Sequence, residues 1–231
     1  MTTIILFDID GTLLRAGGAG RRSVERALDR LTGRAHGTTN LESVEFAGRT
    51  DRWIMGAALA HCGAPTHDAM IDEVIDHYLE LLPTELQAST GFEVMPGARG
   101  LLEKLCQASG IALGLGTGNV ERAAYAKLRR AALDPFFAFG GFGCDHVDRA
   151  ALLRAGLARG LAHARVDEAR VVVIGDTPHD VDAAHAIGAE CIAVCTGWFD
   201  EAPLHASGAE LVVPSLQDPR VLGALATPSL A

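Results

Sequence analysis

Ile4 to Phe7 form an unbroken apolar run that stops at Asp8. A short apolar run closed by a turn signal fits a strand buried on both faces. Ile111–Gly116 and Val171–Ile174 repeat that design, Glu190–Cys195 predicts a further strand, and Phe136–Phe142 and Leu211–Val213 suggest two short ones. Between these runs the apolar period is helical. It predicts helices from Pro96 to about Ala108, over Val120–Ala131 and Val147–Ala162, and from the Asp176–Asp180 turn to Ile187, where Gly188 closes the last one. Repeated strand–helix order predicts an α/β fold, a doubly wound, Rossmann-like parallel sheet with right-handed crossovers.

One block breaks the alternation. Arg22–Leu31, Thr50–Cys62 and Asp68–Leu82 carry helical periodicity, with Pro83 expected to kink or end the third helix. No stretch between Arg15 and Ser89 reads as a strand. The expected division is therefore a core of residues 1–14 and 90–231 and an all-helical insert, residues 15–89. The insert follows the first strand, so it should stand over the carboxyl edge of the sheet as a cap.

Composition narrows the partners. Of 231 residues 48% are hydrophobic, as in a globular chain, and the net charge is -9. An acidic surface argues against nucleic acid and anionic membranes. The five cysteines match no zinc spacing and read as small buried thiols in a reducing compartment. No basic-then-apolar leader and no run long enough to span a bilayer is present, so a soluble cytoplasmic protein is expected. Lys104 and Lys127 are the only lysines.

Three strand ends bring polar residues to one edge: Asp8 and Asp10, Thr117-Gly118-Asn119, and Asp176 with Asp180. Ligands bind at that edge in open parallel sheets. Crowded carboxylates repel, and a bound cation relieves the repulsion. Hard oxygen donors without cysteine or paired histidine favour Mg²⁺. Taken singly, Asp176 could be a helix cap and Asp180 a solvated first-turn acid.

Asp8-Ile-Asp10-Gly-Thr-Leu13, Thr117-Gly-Asn119 and Gly175-Asp-Thr-Pro-His-Asp180, in that order, resemble the motifs of the haloacid dehalogenase superfamily. The likeness covers nearly the whole chain, cap included, and is greatest to the phosphoglycolate phosphatases. It implies a phosphoric monoester hydrolase in which Asp8 attacks phosphorus and forms an aspartyl phosphate. Asp10 would serve as acid and then base, and Thr117 with Gly118 or Asn119 would hold the transferring oxygens. Mg²⁺ would sit on Asp8, the Asp10 carbonyl and Asp176, with Asp180 close by. The family usually places a lysine, sometimes an arginine, between the second and fourth motifs; the one lysine in that interval, Lys127, lies in the helix directly after the second motif. Arg149 is the positional match and, always charged, can fill the role. The rival is Lys127, whose place in a helix suggests a surface or packing role. Arg49, at the start of a cap helix, is the candidate grip for a substrate anion, or else an exposed partner of Glu45 or Asp51.

The expected activity is hydrolysis of a small phosphorylated metabolite by a monomer or homodimer. Two alternatives stay open: a sugar-phosphate mutase of the β-phosphoglucomutase kind, and a non-enzymatic metabolite-binding module.

Overall fold

The structure is a computed structural model and describes residues 2–226. The first strand, β1 (Thr3–Phe7), leads through the Asp8–Leu13 turn to β2 (Leu14–Ala16). Then come α1 (Ala19–Thr32), α2 (Asp51–His61), α3 (Asp68–Ala88) and β3 (Phe92–Val94). The chain continues through α4 (Ala98–Leu105), β4 (Ile111–Thr117), α5 (Glu121–Ala131) and β5 (Phe139–Phe142). It ends with α6 (Arg149–Ala164), β6 (Arg170–Gly175), α7 (Pro178–Ala186), β7 (Glu190–Val194), α8 (Glu201–Ala206), β8 (Leu211–Val213) and α9 (Pro219–Ala226).

Six strands form one parallel sheet in the order β5-β4-β1-β6-β7-β8. The strand order reverses at β1, which lies between β4 and β6, and ligand crevices form at such a reversal. Alternation along β1 divides the core. Ile4 and Leu6 pack with Leu152, Leu153 and Val181 from α6 and α7. Ile5 and Phe7 join the opposite cluster, with Leu101, Leu102 and Leu128 from α4 and α5. That second cluster runs on into the helical block, through Val24, Met55 and Tyr78.

The strand-free reading of residues 15–89 is corrected at its edge. Leu14–Ala16 pairs antiparallel with Phe92–Val94, and an Arg15–Glu93 ion pair of 3.1 Å crosses this ribbon. Three residues are too few to show a period in sequence. α3 also runs past Pro83 to Ala88, because Glu85 and Leu86 beyond the expected stop are buried. Glu85 there receives both Arg22 and Arg26. α4 begins at Ala98, two residues after Pro96, and ends at Leu105. The short α8 and α9 left no periodic signal. The cysteines are all free, but Cys191 alone is buried; Cys106 and Cys144 are exposed.

α6 lies unusually close to the sheet, and glycine makes that approach possible. A Cβ on Gly141 of β5 would collide with the Leu152 carbonyl, and one on Gly156 would meet the Gly141 amide at 2.7 Å. The first residue of α6 is Arg149, so this contact sets where that guanidinium lies. Gly141→Ala is expected to lower unfolding free energy by about 1–3 kcal/mol, as overpacking does. Urea unfolding checks it, and a change within about 0.5 kcal/mol would mean that α6 is not wedged there.

Candidate active site

Asp8 follows β1 directly, and its amide still pairs with the Ile174 carbonyl at 2.9 Å. Its side chain is therefore held by the sheet rather than by a loose loop. The turn after it needs Gly11, whose φ of +87° suits glycine. A Cβ there would also strike the Asp176 carboxylate. Asp176 directly follows β6, is 1% exposed, and accepts a 3.1 Å bond from the Thr12 hydroxyl. The Asp8, Asp176 and Asp180 carboxylates each place an oxygen within 4.8 Å of the others. Strand ends far apart in sequence thus meet at one point.

Asp180 plays a different part from its two neighbours. Its Oδ2 accepts from the Asp176 and Thr177 amides at 3.2 and 3.0 Å and from the Thr177 hydroxyl at 2.7 Å. Thr177 in turn caps α7, so the two residues close a capping box. Asp180 Oδ1 takes the Arg149 Nε at 2.8 Å. With its oxygens so engaged, Asp180 orients Arg149 and the start of α7, and Asp8 and Asp176 remain the freer donors. Oxygen donors without sulfur or imidazole fit a hard divalent cation such as Mg²⁺.

Both candidate cations reach the site. The Arg149 Nη2 lies 2.9 Å from Asp8 Oδ2, a charge contact more than an aligned hydrogen bond. Lys127 is buried, which corrects its reading as a surface or packing residue. Its Nζ lies 2.5 Å from Asp10 Oδ2 and 2.6 Å from Asn119 Oδ1. One turn and a half into α5, its side chain runs back under the Thr117–Asn119 loop, a path that sequence spacing does not display. Asn119 Nδ2 donates to both Asp10 Oδ2 and Thr117 Oγ1, each at 2.9 Å. All the bonds to Asp10 fall on Oδ2, so Oδ1 has no protein partner among the described residues.

The helical block touches this edge through residues 48–51. The Arg149 Nη1 donates to the Gly48 carbonyl at 3.3 Å, and the Asp51 amide to the Gly118 carbonyl at 2.8 Å. Thr50 caps α2, accepting from the Trp53 amide. Asp51 reaches across and accepts from the Val120 amide at 2.8 Å. Arg49 borders the cavity but is paired with Glu45 at 2.7 Å and lies 4.5 Å over the Trp53 ring. Met55 and Leu59 are packed in the core, whereas Trp53 stays partly exposed. His179 sits against Gly48 and does not line the acidic cavity. Thr12, Asp51 and Tyr78 are members of the site that sequence reasoning did not single out as such.

Burial sets the electrostatics. It pushes the Asp8 carboxyl up to about 6; Arg149 and a hydrogen bond from Thr117 oppose this, and Asp180 and Asp10 add to it. Asp176 is pushed well above the usual carboxylate range by burial, then by Asp180 and Asp8. Burial alone would lower the Lys127 ammonium, but Asp10 and Asp51 outweigh it and raise it. Arg149 is raised likewise by Asp180 and Asp8 against burial. Both cations stay charged.

A carboxyl whose folded value exceeds its unfolded value destabilises the fold once ionised, and that cost disappears as pH falls through the folded value. Asp176→Asn can keep the bond from Thr12 and removes one of the repelling charges. In chelator, it is expected to raise stability at pH 7.5 by about 0.5–2 kcal/mol. The gain should shrink as the solution is acidified. Urea unfolding at several pH values measures this, and a less stable variant at pH 7.5 would show that the acids are not in conflict.

Comparison with known proteins agrees with this geometry. The family model for haloacid dehalogenase-like hydrolases matches residues 2–188. A phosphoglycolate phosphatase of Caulobacter vibrioides is 29% identical over 220 residues, covering 93% of this chain and 87% of that protein. One from Pseudomonas fluorescens Pf0-1 is 27% identical over 216 residues, covering 93% of this chain and 77% of its own length. Among solved structures, a predicted phosphatase from Clostridium acetobutylicum superposes with a TM-score of 0.72 at 19% identity, covering 97% of this chain and 98% of that one. Motifs, sheet and family match point one way: the chain belongs to the haloacid dehalogenase-like hydrolases.

Proposed function

We propose that the chain is a Mg²⁺-dependent phosphatase of small phosphorylated metabolites that works through a phosphate ester on Asp8. The observation that carries this reading is the pairing of two unlike carboxylates at one strand end. Asp8 is buried and held against Arg149, while Asp10 is part-exposed and leaves Oδ1 open to the cavity. That is the division of labour that a nucleophile and a proton carrier need.

In the first step an Asp8 oxygen attacks phosphorus, and the bond from phosphorus to the leaving oxygen breaks. Protonated Asp10 gives its proton to that oxygen, releasing an alcohol. In the second step Asp10 takes a proton from water, the hydroxide attacks phosphorus, and the Asp8 carboxylate departs. The Thr117 hydroxyl and the Gly118 amide supply donors for the transferring oxygens, while the Asn119 amide is turned to Thr117 Oγ1 at 3.3 Å. Arg149 screens the nucleophile, and Lys127 with Asn119 fixes the Asp10 rotamer. A Mg²⁺ ion held by Asp8 and Asp176 would offset the charge of carboxylate and phosphate.

The names of the relatives support a phosphatase and make 2-phosphoglycolate the first ester to try. We take residues 15–89 as the cap, turning on the β2–β3 ribbon and excluding bulk water when closed. No helix among the described residues is long and apolar enough to cross a membrane, and a cytoplasmic setting is part of the proposal.

The test is release of inorganic phosphate, with Mg²⁺, from 2-phosphoglycolate, hexose phosphates and p-nitrophenyl phosphate. Wild type is expected to turn over at least one, and Asp8→Asn to lose at least about a thousandfold. Full activity of Asp8→Asn on every ester would remove the covalent mechanism. Rearranged ester in place of free phosphate would make the enzyme a mutase.

A further inference from the structure

The cavity above the acids has a volume of about 400 Å³. Sites for whole small molecules occupy roughly 300–1,000 Å³. A phosphate carrying two carbons would leave much of it empty. The helical block supplies much of its lining, including Val24, Phe46, Ile54 and Tyr78.

Tyr78 is unusual in that wall. It is 1% exposed, yet its hydroxyl has no hydrogen-bond partner among the described residues. Buried tyrosines ordinarily find one. Burial, then the charges of Asp51 and Asp10, push the phenol well above its usual range, so it stays neutral and can both donate and accept. Asp51 lies beside it in the same lining and is 8% exposed. The Val120 amide occupies Oδ2, and Oδ1 has no protein partner among the described residues. Burial pushes the Asp51 carboxyl up to about 6; Lys127 and the Val120 bond hold it down, and Asp10 and Asp8 raise it further.

The cations around the cavity are engaged already. Arg15 is paired with Glu93 and Arg49 with Glu45. Arg21 donates to the Leu41 carbonyl and lies 4.5 Å over the Phe46 ring. Lys127 and Arg149 belong to the acids at the strand ends. Arg21 is the one of these cations without an acid partner among the described residues, and a carboxylate on the leaving group would still face Asp51 as a like charge. A hydroxyl avoids that repulsion: it can donate to Asp51 Oδ1 and accept from Tyr78.

We propose that Tyr78 and Asp51 form the specificity wall of the site, and that they select phosphate esters of polyols or sugars over phosphorylated two-carbon acids. The inference rests on the phosphatase reading and narrows its leaving group.

The experiment measures kcat/KM with Mg²⁺ for glycerol 3-phosphate, glucose 6-phosphate, 2-phosphoglycolate and the hydroxyl-free reference p-nitrophenyl phosphate. Wild type is expected to favour at least one hydroxylated ester over 2-phosphoglycolate by about tenfold or more. Tyr78→Phe should lower the ratio of hydroxylated ester to reference by about ten- to a hundredfold, the cost of leaving a buried polar group unpaired. Asp51→Asn keeps an acceptor and removes the charge, so it should raise 2-phosphoglycolate relative to the hydroxylated esters. It also supplies the reading if Tyr78→Phe does not fold. A wild-type preference for 2-phosphoglycolate, or ratios unmoved in the variants, overturns the assignment while the phosphatase reading stands. If no ester, the reference included, releases phosphate, the phosphatase reading fails and the specificity wall falls with it.

Discussion

Three buried carboxylates repelling one another is the constraint on which the rest of this site depends. Asp8, Asp176 and Asp180 are brought within a few ångströms by the ends of two neighbouring strands and the first turn of a helix. Such charges cannot share a dry pocket without compensation. Part of it is built in. Arg149 lies between Asp8 and Asp180, and the capping box at α7 gives Asp180 three further donors. What remains uncompensated falls on Asp8 and Asp176, and it is this charge that a bound cation would offset.

The fold serves that arrangement at several distances. β1 is central, so Asp8 is fixed by hydrogen bonds on both flanks of its strand. The glycine contact of α6 with β5 brings the Arg149 backbone close enough for its guanidinium to reach two acids. α5 starts just after the Thr117–Asn119 loop and sends Lys127 back beneath it. Residues 48–51 then tie the helical block to the same edge through backbone bonds. Each element is short of function alone; their meeting at one sheet edge creates the chemistry.

Much of this was legible in sequence, because the signals were periodic or local. Ile4–Phe7 and Val171–Ile174 are strands buried on both faces, and their acids follow at once. The βα order dictates the parallel sheet. What stayed hidden depends on side chains that reach far from their own position. Lys127 looks like one helix residue among several until α5 is docked under the loop. Asp51 reads as a helix-start acid, yet its partner is the Val120 amide, 69 positions away. Tyr78 shares the apolar stripe of α3, and only the three-dimensional packing brings it to the cavity wall. The β2–β3 ribbon escaped notice because pairing, not pattern, defines three-residue strands.

The most direct test of the account is a crystal structure of the protein grown with Mg²⁺. One ion is expected between the Asp8 and Asp176 carboxylates, with oxygens at about 2.0–2.1 Å. Asp180 should remain on Arg149 and Thr177. An ion bound elsewhere, or the two carboxylates turned apart with nothing between them, would contradict it.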